Sequence, residues 1–132
     1  MKDSMQPGIR GEAEQRVVSE QLVSHYHADG APVFGTPFML LLMETAAFNA
    51  MLPHLEAGEQ SVGMKFNFEH LAATPPGQKV VARAQATEVK GNLVIFEFEA
   101  HDEQEQIGRG THTRAVIEVA RFQKRLAKKR GD

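Results

Sequence analysis

A chain of 132 residues can form one domain with a real core, and 42% hydrophobic against 24% charged residues is an ordinary globular mix. A formal net charge of −2 provides no broad cationic field, which argues against nucleic acid as a partner. The absence of cysteine excludes disulfide frameworks and thiolate chemistry and points to a reducing, cytoplasmic setting.

The opening residues 1–14 are polar and read as loosely ordered; "MKDSMQPGIRGEAEQ" holds no apolar run of the kind a secretory signal needs. Gln15–Val23, "QRVVSEQLV", reads as a strand. Ser24–Gly35, "SHYHADGAPVFG", reads as a loop. A helix follows in "TPFMLLLMETAAFNAM", with Thr36 as its N-cap, Pro37 as its first residue and Pro53 marking its end. The apolar run Phe38–Leu52 is too short to cross a bilayer, and Glu44, Thr45 and Asn49 interrupt it. It is therefore a core helix, and no membrane partner is expected.

Ser61–His70, "SVGMKFNFEH", alternates. The alternation assigns Val62, Met64, Phe66, Phe68 and His70 to one face, and Gly63, Lys65, Asn67 and Glu69 to the other. Lys79–Val89 and Asn92–Asp102 are strands joined in a hairpin at "KGN", and Gly108–Phe122 is a last long strand. The tail "QKRLAKKRGD" reads as a solvated basic end. The order is strand, helix, then four strands. This predicts a single α+β domain over residues 1–132, one hydrophobic helix against a curved antiparallel sheet of about five strands. A sheet covers only one side of a helix that is apolar nearly all round, so the other side needs the Ser24–Gly35 loop or a second subunit.

Glu44 is the residue that demands a reason. Its helical neighbours Leu40, Leu41, Ala47 and Phe48 are all apolar. A carboxylate there needs a partner, either an arginine or a backbone donor in a structural role, or a substrate in a catalytic one. His70 ends the apolar face of its strand; it is either a satisfied core residue or a general base at the rim. Thr36 has a plain explanation as a cap, beside helix amides that can steady an oxyanion. Gly63 inside a strand suggests close approach by a ligand or another chain. Arg114 is either a solvated strand residue or a contact for a carbonyl or phosphate. His25 and His27 do not make a metal site, His112 has no evident role, and no nucleophile elbow, phosphate loop or zinc pattern occurs.

"PVFGTPFMLLLMETAA", "SVGMKFNFEHLAATPPGQ" and "IGRGTHTRAV", in that order, with "MKDSM" and "FQKRLAKK" at the ends, make this chain resemble the fluoroacetyl-CoA thioesterase-like family of hotdog-fold thioesterases over nearly its whole length. The resemblance implies a hotdog fold, a homodimer or dimer of dimers, and hydrolysis of an acyl-CoA with no separate cofactor. It implies Thr36, Glu44 and His70 as the catalytic set and Gly63 and Arg114 as substrate contacts. It also marks a departure. Lid aromatics of the fluoroacetyl-specific member would fall at His27 and Gly30 in the stretch "SHYHADGAPV", leaving Tyr26 as its only aromatic, so the acyl preference is open.

Geometry bears on the dimer. Thr36 and Glu44 are eight residues apart, about 12 Å along a helix, and Gly63 and His70 are seven apart, roughly 23 Å along a strand. One chain does not easily gather these around one carbonyl. Two copies paired near Phe66 bring Gly63 of one towards His70 of the other. In that arrangement His70 is the general base, on water or on Thr36, and Glu44 orients the imidazole or itself attacks to form an anhydride. A hotdog dehydratase or hydratase, and a non-catalytic acyl-CoA-binding domain, are the alternatives.

Overall fold

The computed structural model describes all 132 residues. Five strands form one antiparallel sheet: β1 (Arg10–Arg16), β2 (Glu59–His70), β3 (Lys79–Lys90), β4 (Leu93–His101) and β5 (Gln106–Glu118), in the order β1-β3-β4-β5-β2. Three helices accompany it: a single turn, α1 (Val23–Tyr26), the long α2 (Thr36–Met51), and α3 (Val119–Arg130). The α+β expectation holds, with the helix lying in the curl of the sheet.

Small residues explain how α2 settles so deeply. The inner positions of β3 are Val80, Ala82, Ala84 and Ala86, and α2 answers with Ala46, Ala47 and Ala50; all seven are buried. On β1, Gly11 lies so close to α2 that a Cβ would collide with the backbone of Ala46 and Ala50. Larger side chains fill the far side: Phe96 and Phe98 of β4, and Met39, Met43 and Met51 of α2. This core does not cover the whole helix. Leu41 on the helix and Leu52 just past its end stay exposed, as does Met64 on β2, which is an edge strand with one side unpaired. No helix is long and apolar enough to cross a membrane.

Three elements differ from the sequence expectations. The first strand is Arg10–Arg16, not Gln15–Val23, so the opening residues are less loose than expected. Its outward positions are all charged and its inward ones include Gly11 and Ala13, a pattern without the β-branched residues that usually announce a strand. The valines that suggested one lead instead into a 3₁₀ turn at Ser19–Gln21 and into α1, which takes the start of the expected loop. The last strand stops at Glu118, and Val119–Phe122 open α3 together with the basic tail. That segment is rich in Ala, Arg and Lys, good helix formers, and Gly131 ends it in the left-handed region at φ 91°. None of its residues is buried.

The third difference is the face assignment on β2. The β2–β5 register shifts between Gly63 and Lys65. Gly63 pairs with Arg114 and Phe66 with His112, two residues that share a face of β5. Directly opposed residues point the same way, so this bulge puts Gly63 on the face of Phe66 and His70 and leaves Met64 outside it.

Candidate functional site

Thr36 is the first residue of α2, and Gly35, extended at φ −74° and ψ 141°, is the cap. The expected N-cap role is therefore one residue off. Gly35 is buried under the Tyr26 hydroxyl, in a slot with no space for a Cβ. The Thr36 hydroxyl is thereby released from capping and meets His70, with Oγ1 2.8 Å from Nδ1. This single bond joins the start of the helix to the end of β2. The other imidazole nitrogen of His70, Nε2, is buried and has no partner. Burial holds the His70 pKa below its ordinary value, with the nearby Ala72 backbone opposing the shift. The ring is thus biased to its neutral, basic form.

A second cluster gathers around Arg114. Its side chain is 4% exposed, while that of Glu44 is 35% exposed. Arg114 Nη1 donates to Glu44 Oε2 at 3.1 Å, so the carboxylate on the apolar helix has an arginine partner in its own chain. Nε donates to Ser61 Oγ and Nη2 to the Ser61 carbonyl, both at 3.0 Å. Nη1 also faces His112 Nε2 at 3.2 Å, and the guanidinium lies 5.8 Å from the Phe48 ring centre. Four of the five N–H groups of Arg114 are engaged within the chain, leaving one free. Burial lowers the Arg114 pKa and Glu44 opposes the shift. Gly63 closes the cluster: a Cβ there would lie 2.5 Å from Glu44 Oε2.

The five candidates thus form two groups in one chain, Thr36 with His70, and Glu44 with Gly63 and Arg114, and no hydrogen bond connects the groups. Within the chain Glu44 is not bonded to His70. Sequence reading missed Ser61 and left His112 without a role; a serine at the start of a strand and a histidine between threonines give no signal until the bulge and register are known. The aromatic that approaches the helix start is Tyr26 itself, its ring centre 6.0 Å from that of Phe38, rather than a side chain at positions 27 or 30. A depression of about 780 Å³ lies elsewhere, on the outer sheet face. It is lined by a cross-strand series of charges, Glu12, Arg83, Glu99, Arg109 and Glu69, and by none of the candidates.

The pattern of the family described as "fluoroacetyl-CoA-specific thioesterase" matches residues 17–120. This chain belongs to the fluoroacetyl-CoA-specific thioesterase family. It is 39% identical to the fluoroacetyl-CoA thioesterase of Streptantibioticus cattleyicolor, over 98% of this chain and 97% of that one. A crystal structure of a phenylalanine-to-alanine variant of the fluoroacetyl-CoA-specific thioesterase superposes with a TM-score of 0.89 at 39% identity, covering 97% and 99% of the two chains. A Thermus thermophilus protein described as a thioesterase superfamily member superposes at 0.91 with 28% identity, covering 98% and 96%. The hotdog architecture expected of the family is the one seen here: a curled five-stranded antiparallel sheet around a long helix.

Proposed function

We propose that this protein hydrolyses an acyl-CoA thioester to a carboxylate and free coenzyme A, at two equivalent sites on a homodimer. The observation that carries the reading is His70: its Nδ1 is engaged by Thr36, and its buried Nε2 has no partner within the chain. With Nδ1–H donating to Thr36 Oγ1, the Nε2 lone pair faces the reaction. There it takes a proton from water as the water oxygen bonds to the thioester carbon. The tetrahedral oxyanion is steadied by the amide of the partner subunit's Gly63, and its collapse breaks the C–S bond. The departing thiolate takes the proton back from the imidazolium. Water is the only co-reactant, so no metal or redox group is required. A relative's threonine-to-serine variant was solved with acetyl-CoA, and its threonine-to-alanine variant with fluoroacetate, which supports an acyl-CoA as the substrate class.

The dimer is the second half of the reading. It is supported by the unpaired edge of β2, by exposed Leu41, Leu52 and Met64, and by the separation of the two residue groups. Antiparallel β2–β2 pairing near Phe66 covers these surfaces and sets the partner subunit's Glu44 and the partner subunit's Gly63 opposite His70. Arg114 then holds Glu44 in line and keeps one N–H for the substrate. The acyl group is small, and the stretch "SHYHADGAPV", in which Tyr26 is the only aromatic, gives a broader acyl range than a fluoroacetyl-specific lid. The cysteine-free composition suits a cytoplasmic location.

The test is thiol release across acetyl-, fluoroacetyl-, short branched, medium-chain and aryl-CoA, with light scattering on the same sample. The reading predicts coenzyme A release with turnover and a mass of two chains. Hydration or dehydration without thiol release would make the protein a dehydratase or hydratase. Tight binding with no product would make it an acyl-CoA-binding domain.

A further inference from the structure

His112 is 1% exposed and lies outside the catalytic set. Its ring stacks on Phe66, with centres 3.8 Å apart and planes 15° from parallel, so it has little freedom to turn. Both nitrogens are occupied. Nδ1 is 2.9 Å from the Lys65 carbonyl, an acceptor only, and Nε2 is 3.2 Å from Arg114 Nη1, a donor only. These contacts dictate one state, a neutral ring with its proton on Nδ1 and its lone pair on Nε2. The lowered His112 pKa, caused first by burial, agrees with it.

The Nη1 group that His112 receives is the one that donates to Glu44. Ser61 fixes the opposite side of the guanidinium through Nε and Nη2. Removing the His112 acceptor would leave a buried arginine N–H without a partner and the guanidinium held only by Ser61 and by the part-exposed Glu44 that it has to orient. The Glu44 carboxylate, a third of whose side chain is exposed, would lose its fixed direction.

We propose that His112 is a positioning residue of the thioesterase site, acting through Arg114 to aim the Glu44 carboxylate at the reacting centre. The proposal rests on the acyl-CoA hydrolase reading. Its two hydrogen-bonding arms can be separated by substitution. His112→Gln supplies a carbonyl oxygen near the Nε2 position and keeps an acceptor for Arg114. His112→Asn supplies an N–H near Nδ1 and keeps the Lys65 arm but loses Arg114. His112→Phe keeps the stacking and loses both.

The experiment measures kcat and KM by thiol release, with melting temperature, for the full-length protein and all three variants. Loss of the Arg114 arm should lower kcat about tenfold or more in His112→Asn and His112→Phe, equivalent to about 1.4 kcal/mol, with KM changed less than about threefold. His112→Gln should stay within about fivefold of wild-type kcat, and the glutamine and asparagine variants should melt at similar temperatures. A glutamine variant no better than asparagine, or losses that simply follow melting temperature, would overturn the proposal. Imidazole ¹⁵N NMR of the wild-type protein gives a readout independent of turnover. A lone pair on Nε2 of His112 supports the link from His112 through Arg114 to Glu44 independently of turnover, whereas a protein that hydrolyses no acyl-CoA defeats the hydrolase reading and the positioning role with it. A proton on Nε2 overturns the proposal.

Discussion

An alanine at position 63 would meet a carboxylate. Its Cβ would lie 2.5 Å from Glu44 Oε2, 3.2 Å from His112 Cε1 and 3.5 Å from Arg114 Nη1. Since non-bonded atoms settle at about 3.5 Å, Glu44 has to retreat by about 1 Å. The His112 ring, stacked on Phe66, cannot share the movement. A retreat of that size stretches the 3.1 Å contact with Arg114 towards the limit of an ion pair. Overpacking typically costs about 1–3 kcal/mol, and loosening a pair whose acid is one-third exposed adds roughly 0.5–1 kcal/mol. Gly63→Ala should therefore lower the unfolding free energy by about 1.5–4 kcal/mol in urea titrations. It should also lower kcat/KM by about 100-fold, as expected when an oxyanion donor and the neighbouring acid are displaced together. A variant within about 0.5 kcal/mol of wild type and with full turnover would refute the packing argument and the role of Gly63 together.

Thr36→Val keeps the shape of Thr36 and removes the one side-chain bond made by His70; it should cost about 1–2 kcal/mol in urea and lower kcat about tenfold or more, whereas Thr36→Ser should retain most of both. Loss of helix capping does not enter, because the cap is Gly35. Burial lowers the pKa of both His70 and His112, so below about pH 6.5 the unfolded chain binds more protons than the folded one. The stability tied to them is complete above about pH 6.5 and is lost as pH falls through their lowered folded values, which urea midpoints taken from pH 8 to pH 5 will register. For the same reason the acid limb of kcat/KM should inflect below about pH 6.5, and an inflection well above it would contradict His70 as the free base.

Much of the fold was legible because hydrophobic period and turn residues agree in its central elements. The α2 helix and the β3–β4 hairpin at Lys90-Gly91-Asn92 fall where pattern predicts. The first strand was not legible, since the close approach of α2 forces Gly11 where a β-branched residue would have announced it. In the site, the strand glycine and the lone acid were readable as residues needing a neighbour, but not as each other's neighbours. The register shift after Gly63 is one residue of backbone with no compositional mark, and it reverses the face on which Gly63 stands. The same shift hides the contact of His112 with the Lys65 carbonyl, and therefore hides the buried network of Ser61, His112 and Arg114.

Mixing two inactive variants measures the composite site most directly. His70→Ala and Glu44→Gln should each be nearly inactive. When the two are unfolded together and refolded in equal amounts, half of the dimers carry one chain of each kind. In each such dimer one site joins an intact His70 to the partner subunit's Glu44, so the mixture should recover roughly one quarter of wild-type turnover. A mixture that refolds to dimers and stays as inactive as its components would mean that His70 and Glu44 serve within the same chain, and the account of a shared site would be wrong.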